Sequence, residues 1–240
     1  MAIQATGNAK NILVGASPLY LTVEDSTVSG YVENMEPGVA KAFVATKNRT
    51  VPAYESAKSY RETLNAVDIN TGASAGADVA GGAYRNVGFT NNGLQITYNP
   101  SYGSVTVDQL LDTAKLFKES MEVMIATEMS EATLENTLVV FGQGRSTLNS
   151  STLGIEAGAL GVAPTERQLI AVGQAPTTTS AFSERVYYAR RVLSVQQSQF
   201  SLARNAATTF PVTFRLLPSG DSAYAGQEYG KIIDRTWTPA

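Results

Sequence analysis

Hydrophobic and polar residues alternate with period two along much of the chain, which is the pattern of half-buried β-strands. In the first such run Leu19, Leu21 and Val23 alternate with Tyr20 and Thr22, giving a strand over about Ile12 to Val23 that bends near Ser17-Pro18. From Glu24 to Ala83 the pattern loosens. It ends in Thr71-Gly72-Ala73-Ser74-Ala75-Gly76-Ala77-Asp78-Val79-Ala80-Gly81-Gly82-Ala83, too poor in large side chains to pack a core, so residues 24–83 read as an irregular loop or arm. Asp68-Ile69-Asn70-Thr71-Gly72 has part of a calcium-loop pattern but lacks the remaining ligands, and a plain Asx turn accounts for it.

The strongest local signal is a hairpin over Tyr84 to Tyr98. With Asn92-Gly93 as a type I′ turn, Asn91 pairs with Leu94, Phe89 faces Ile96 and Val87 faces Tyr98, so the apolar pairs share one face. Asn99-Pro100-Ser101-Tyr102-Gly103 predicts another turn, after which Val105 and Val107 begin a new strand. Asp108 to Phe141 fits two patterns. Leu110, Leu111, Ala114 and Phe117 form a helical stripe, whereas Met121, Val123, Ile125 and Met129 suit a strand or a helix. A helix is expected at about 131–141, capped by Ser130, burying Leu134, Leu138 and Phe141 and stopping at Gly142. Strands return in the C-terminal half. Val186, Tyr188 and Val192 share one face and Val212, Phe214 and Leu216 share another, before Pro218-Ser219-Gly220-Asp221 turns the chain towards Tyr229 to Trp237. The expected class is mainly β, a β-sandwich with one flanking α-helix.

Composition narrows the function classes. The 240 residues contain no His and no Cys, which removes imidazole bases, thiolate nucleophiles, disulfides and the usual zinc ligands. Carboxylates remain, and Glu128 with Glu131 or Asp108 with Asp112 are the nearest pairs for glycoside hydrolysis, but solvated surface charge, and for Glu131 stabilisation of a helix N-terminus, is the far better account of them. No Ser stands three residues before a Lys. Gly142-Gln143-Gly144 lacks the third glycine of a dinucleotide loop, and Gly230-Lys231 is followed by Ile232 rather than a hydroxyl residue. No enzymatic activity and no cofactor are expected. The apolar runs are far shorter than the roughly 18 residues of a spanning helix, so no membrane insertion is expected either.

Charge is sparse but uneven. Charged residues make up 16% of the chain against about a quarter in an average domain, with a net charge of −3, too small for non-specific phosphate binding. Between Asp108 and Glu135 seven acidic and two basic side chains leave −5, and between Arg185 and Arg235 seven basic and three acidic leave +4. Regions of opposite sign can pair within the chain or set the register between identical subunits. Glu131, Glu135, Arg190 and Arg191 are the candidate interface charges. Arg190 and Arg191, adjacent on a strand, point to opposite sides and do not form one basic platform.

Several ordered stretches resemble the major tail tube protein of long-tailed bacteriophages: Tyr84 to Tyr98, Tyr102 to Gln109, Glu131 to Leu138, Phe210 to Arg215 and Ile232 to Trp237. Together they span most of residues 84–237; residues 24–83 have no counterpart. The resemblance implies one domain over 1–240, with the loop insertion at about 24–83 and strand at about Ser120 to Glu128. It also implies six-membered rings whose inner sheets join into an intersubunit β-barrel, stacked into a tube in the virion tail. Partners would be other copies of the chain and the tail terminator, tape measure and baseplate or tip proteins, with genomic DNA passing through without tight binding. A secretion-system tube protein shares the barrel logic. A carbohydrate-binding or glycosidase sandwich is the rival of a different class.

Overall fold

The computed structural model describes residues 15, 17–22, 36–38, 41–44, 49–51, 53–66, 84–106, 113–149, 151–157, 165–176, 182–195, 199–200, 204 and 207–239. In chain order the elements are β1 (Leu19–Thr22), β2 (Lys41–Val44), β3 (Arg49–Val51), α1 (Tyr60–Ala66), β4 (Tyr84–Asn86), β5 (Thr90–Thr106) and β6 (Thr113–Met129). There follow α2 (Leu134–Val140), β7 (Leu148–Asn149), β8 (Thr152–Leu153), β9 (Arg167–Gln174), β10 (Phe182–Ser194), β11 (Phe210–Leu216) and β12 (Gly230–Trp237). The protein is mainly β, as expected. Eight strands form one antiparallel sheet in the order β4-β1-β9-β10-β11-β6-β5, with β12 also paired to β10; β2-β3 and β7-β8 are separate two-stranded pairs.

Connectivity forces that sheet to curl. β4 and β5 stand at opposite ends of the seven-strand path, six spacings or about 29 Å apart if it were flat. Yet only Val87, Gly88 and Phe89 join them, and the four steps from Asn86 to Thr90 reach about 14 Å. The inner face therefore closes on a core of Leu19, Leu21, Ile125, Met129, Leu169, Val192, Phe210, Val212 and Phe214, with Leu138, Val139 and Val140 of α2 in the same cluster. A second cluster on the opposite face joins Tyr20, Ile170, Val172, Val186 and Tyr188 to Val51, Tyr60 and Leu64. β1 and β9 bury both faces: Tyr20 lies in the second core between Leu19 and Leu21 of the first, and Leu169 to Val172 run without a polar break.

Several expectations meet a different geometry. Asn92 and Gly93 do take positive φ, 59° and 65°, but the chain does not reverse there. Asn91 pairs with Glu128 and Gln95 with Ala126, leaving Asn92, Gly93 and Leu94 as a bulge opposite Thr127, whose hydroxyl donates to the Gly93 carbonyl at 2.8 Å. Pairing β5 with the whole of β6 satisfies far more backbone than a short local hairpin does, and it carries β5 straight through the expected turn at Asn99–Gly103. Pro100 is tolerated there because β5 is an edge strand. Residues 113–129, ambiguous in sequence, are strand throughout; the start of the stripe at Leu110 and Leu111 lies outside the described residues, as does Val107.

Helix α2 begins later than expected. Thr133 is its N-cap, accepting from the Asn136 amide at 3.1 Å, while Leu134 and Phe141 are exposed and Asn136, Leu138, Val139 and Val140 are buried. Gly142 ends it with φ 66°, its amide and that of Gln143 donating to Val139 and Leu138. In β10 the register shifts by one residue between Ala189 and Val192, so Val192 faces the first core and not the side of Val186 and Tyr188. Val212, Phe214 and Leu216 share a buried face as read from the sequence. Within 24–83, the stretch expected to be irregular, β2, β3 and α1 are regular, and Val51, Tyr60 and Leu64 pack on the second core. Residues 67–83, including the small-residue run and the Asp68–Gly72 turn, lie outside the described residues, as do Ile12 to Val14 and Val23.

A buried carboxylate anchors α1 to the sheet. Glu184 accepts from Ser59 Oγ at 2.5 Å, the Tyr60 amide at 2.7 Å and Arg235 at 2.6 Å, so the sheet supplies the helix with its N-terminal acceptor. Tyr54 and Tyr60 meet edge-on beside it, 4.7 Å between ring centres. Burial pushes the Tyr54 hydroxyl up to about 12, the Arg235 guanidinium opposing, and raises Tyr60 likewise.

Replacing Phe214 by Ala is expected to cost about 3–5 kcal/mol in urea unfolding. The tyrosines predict an alkaline limit. Their phenols stay neutral when folded but ionise near pH 10 when unfolded, so stability falls as pH rises above about 10 and keeps falling to about 12. Because the Tyr54 hydroxyl is buried without a hydrogen-bond partner among the described residues, Tyr54→Phe should leave neutral-pH stability unchanged or higher and shrink that alkaline loss, as read by unfolding curves across pH 9–12.

Candidate assembly surface

Beyond Met124, where β11 stops pairing with β6, the β5-β6 pair continues as a two-stranded arm. Residues directly opposite share a face. The pairs Ile96–Ile125, Tyr98–Val123 and Pro100–Met121 extend the core-facing side outwards, and after a register shift Tyr102–Lys118 and Ser104–Leu116 continue it. The Lys118 ammonium confirms the continuity by donating to the Tyr98 hydroxyl at 3.3 Å and the Met121 sulfur at 2.9 Å. This side leaves the body with its apolar groups in solvent: Tyr98 is 59% exposed, Tyr102 58% and Leu116 65%.

The other side of the stem is polar, with Thr97–Met124, Asn99–Glu122 and Ser101–Ser120 as its pairs. At the tip it turns apolar again with Val105 and Phe117, both exposed. The stem is therefore amphipathic, whereas the described end of the arm carries apolar groups on both sides, each beside a charge: Tyr102 opposite Lys118, Val105 opposite Lys115, and Phe117 next to Glu119. An isolated two-stranded ribbon is marginal in water, and an arm of this composition needs a surface to lie on.

Where the arm leaves the body the sheet splits. The second edge of β10 pairs with β12 over Phe182–Ala189 and with β11 over Val192–Ser194. β6 lies one strand beyond β11, so its run from Val123 back to Thr113 heads alongside β12 without pairing to it. A cleft of about 330 Å³ opens between them, walled by Ile96, Tyr98, Met121 and Val123 on the arm side and by Tyr187 and Ile232 on the other. Its two lips are edges of β6 and β12 that pair with no further strand among the described residues, and Tyr229 reaches across between them, its hydroxyl donating to the Met121 carbonyl at 3.3 Å.

The four charges singled out from the sequence lie elsewhere and are engaged within the chain. Glu131 accepts from the Phe89 amide at 3.0 Å, and its carboxylate fills the space beside Gly88, which has φ 85° and no room for a Cβ. Glu135 pairs with Arg85 at 3.2 Å. Arg190, 2% exposed, lies 3.7 Å above the Tyr224 ring, donates to the Gln227 carbonyl at 3.1 Å and has Glu36 at 3.6 Å. Arg191 forks onto Glu166 at 2.6 and 2.7 Å. Among the described residues, the pair that joins the acidic and basic regions is Arg215–Glu122 at 3.5 Å. Asp108 and Asp112 lie outside the described residues.

Glu131, Asn136 and Arg85 clasp the seam where the sheet closes. Asn136, fully buried, donates to the Val87 and Glu131 carbonyls, each at 2.9 Å, and accepts from Arg85 at 2.6 Å, while the Ser130 amide donates to Phe89 at 2.9 Å. Sequence reading missed the arm because Asn-Gly and Asn-Pro are turn dipeptides; the alternation that persists through Gln95 to Tyr102 was the available signal. No protein-family model matches the chain, and no curated protein is similar to it.

Asn136→Leu keeps the volume but removes one of the acceptors of Arg85 and the donor to the Val87 and Glu131 carbonyls, three buried hydrogen bonds in all, so a loss of about 3–5 kcal/mol is expected in denaturant unfolding. Glu135→Lys, which places two cations together, should destabilise the single chain as well. If either variant melts like the native protein, the seam does not hold the curl.

Proposed function

We propose that this protein is a structural subunit completed by copies of itself, the major tail tube protein of a long-tailed bacteriophage. The observation that carries the reading is the amphipathic arm, whose apolar side runs out of the core into solvent. Self-association covers such a side, and a ring removes the free strand edges beside it. In this reading the curled sheet is a β-sandwich flanked by α2, six subunits join their inner sheets into one barrel, and rings stack into the tail tube of the virion. Tail terminator, tape measure and baseplate or tip proteins are its other partners.

The polar stem side suits a lumen. Thr97, Asn99, Ser101 and Ser120 are uncharged and Glu122 is acidic, so DNA phosphates find few firm contacts and the duplex slides. A chain without His or Cys fits a passive wall that performs no proton or thiol chemistry. A glycan-binding sandwich would need an aromatic groove. The cleft does present Tyr98, Tyr187 and Tyr229, which is the observation in this rival's favour, while the stacked pair Phe182–Trp237 at 4.9 Å sits away from it at one end of β10 and β12.

Negative-stain electron microscopy of the concentrated protein, together with mass spectrometry of particles from the producing cells, tests the reading. Hollow tubes of stacked six-fold rings, and the chain in tailed particles, are the expected result. A monodisperse monomer at every concentration, missing from the particles, refutes it.

A further inference from the structure

We infer that the cleft between β6 and β12 is the seat of the arm tip of a second copy of this chain. Resting on the self-assembly proposed above, the inference goes further by naming which surface meets which. The cleft has apolar walls and two lips without a strand partner, one of them bonded at the Met121 carbonyl by Tyr229, so it accepts an extended segment that brings apolar side chains and main-chain donors and acceptors. The tip supplies both. Tyr102 and Leu116 on one side and Val105 and Phe117 on the other present apolar groups to both walls at once, with the long side chains of Lys115, Lys118 and Glu119 beside them able to reach the rim; the stem, polar on one side, offers no such pair of faces.

The occupant cannot be the chain's own tip. Seven residues of extended strand separate Tyr98 at the cleft from Val105 at the tip, about 24 Å, and the arm cannot fold back without unzipping its own ladder. The area also fits an interface. On the inserted side Tyr102, Val105, Leu116 and Phe117, each near half exposure, leave on the order of 350 Å² of apolar side chain in water, a little under half of the roughly 800 Å² that each partner of a stable complex buries. On the receiving side Ile232 is 67% exposed at the lip. Knob and hole lie at different places on one chain, so a single contact leaves a free knob and a free hole, from which the assembly either continues head-to-tail or closes by reciprocal exchange.

The absence of cysteine makes the test direct, because any disulfide must come from introduced residues. Leu116→Cys at the tip and Ile232→Cys at the lip are prepared separately, mixed, allowed to assemble and oxidised; Tyr102→Cys with Tyr229→Cys is a second pair. The expected result is a species of two chains that forms in the mixtures and is lost when either partner is omitted. Ile232→Asp, a change on an exposed side chain, should keep the monomer's melting curve and abolish assembly. If native protein assembles but neither pair cross-links, or Ile232→Asp assembles normally, the cleft has another occupant and the inference falls while self-assembly stands. If native protein stays monomeric and no pair cross-links, both readings fall together.

Discussion

A strand has only two edges, and β10 must serve three neighbours with them. β9 takes one edge, so β12 and β11 divide the other, β12 over the first eight residues and β11 over the last three. The register shift between Ala189 and Val192 marks the division. Its extra residue moves Val192 onto the face of Ala189 and bends the strand, so β11 and β12 leave in different directions. From that split follow the curl carried on through β11, β6 and β5, the cleft beside β12, and the free run of β6 that becomes the arm.

The bend is held by a buried cation. Arg190 sits in the shifted register with Tyr224 against its guanidinium face and the Gln227 carbonyl at its edge, which ties β10 to the turn leading into β12. A planar guanidinium suits that place, since it stacks and donates in one fixed geometry. The same device recurs where the sheet closes, at Arg85 with Asn136 and Glu135, and where α1 docks, at Arg235 with Glu184. With so few charges in the chain, several are committed to fixing its own path. Buried ion pairs add little net stability over apolar packing, but removing one partner is costly, and that penalty favours one arrangement of the sheet over its neighbours.

Assembly, in the reading proposed here, then falls to apolar side chains and strand edges. This division is physically sensible: an interface of half-exposed aromatic and aliphatic groups gains from desolvation, whereas long cationic side chains already engaged internally have little left to offer a neighbour. Of the regional charges, Glu135, Arg191 and Arg190 meet Arg85, Glu166 and Glu36 outside those regions, whereas Arg215 pairs with Glu122 across them.

The sequence by itself determined what depends on neighbours along the chain. Period-two alternation placed β11 and most of β10, a helix near 131–141 and its stop at Gly142 were legible, and so was the dominance of strand. Positive φ at Asn92 and Gly93 was legible too, because that preference is local. Whether the chain reverses there was decided by β6, a strand that begins about twenty residues later and offers a longer ladder. Likewise the charges of Glu131, Glu135, Arg190 and Arg191 were plain, but their partners lie at Phe89, Arg85, Glu36 and Glu166, brought close only by closure of the sheet. Local preference fixes the conformation a residue can hold; long-range pairing, which satisfies the backbone and buries the core, selects which of those conformations become turn, bulge or arm.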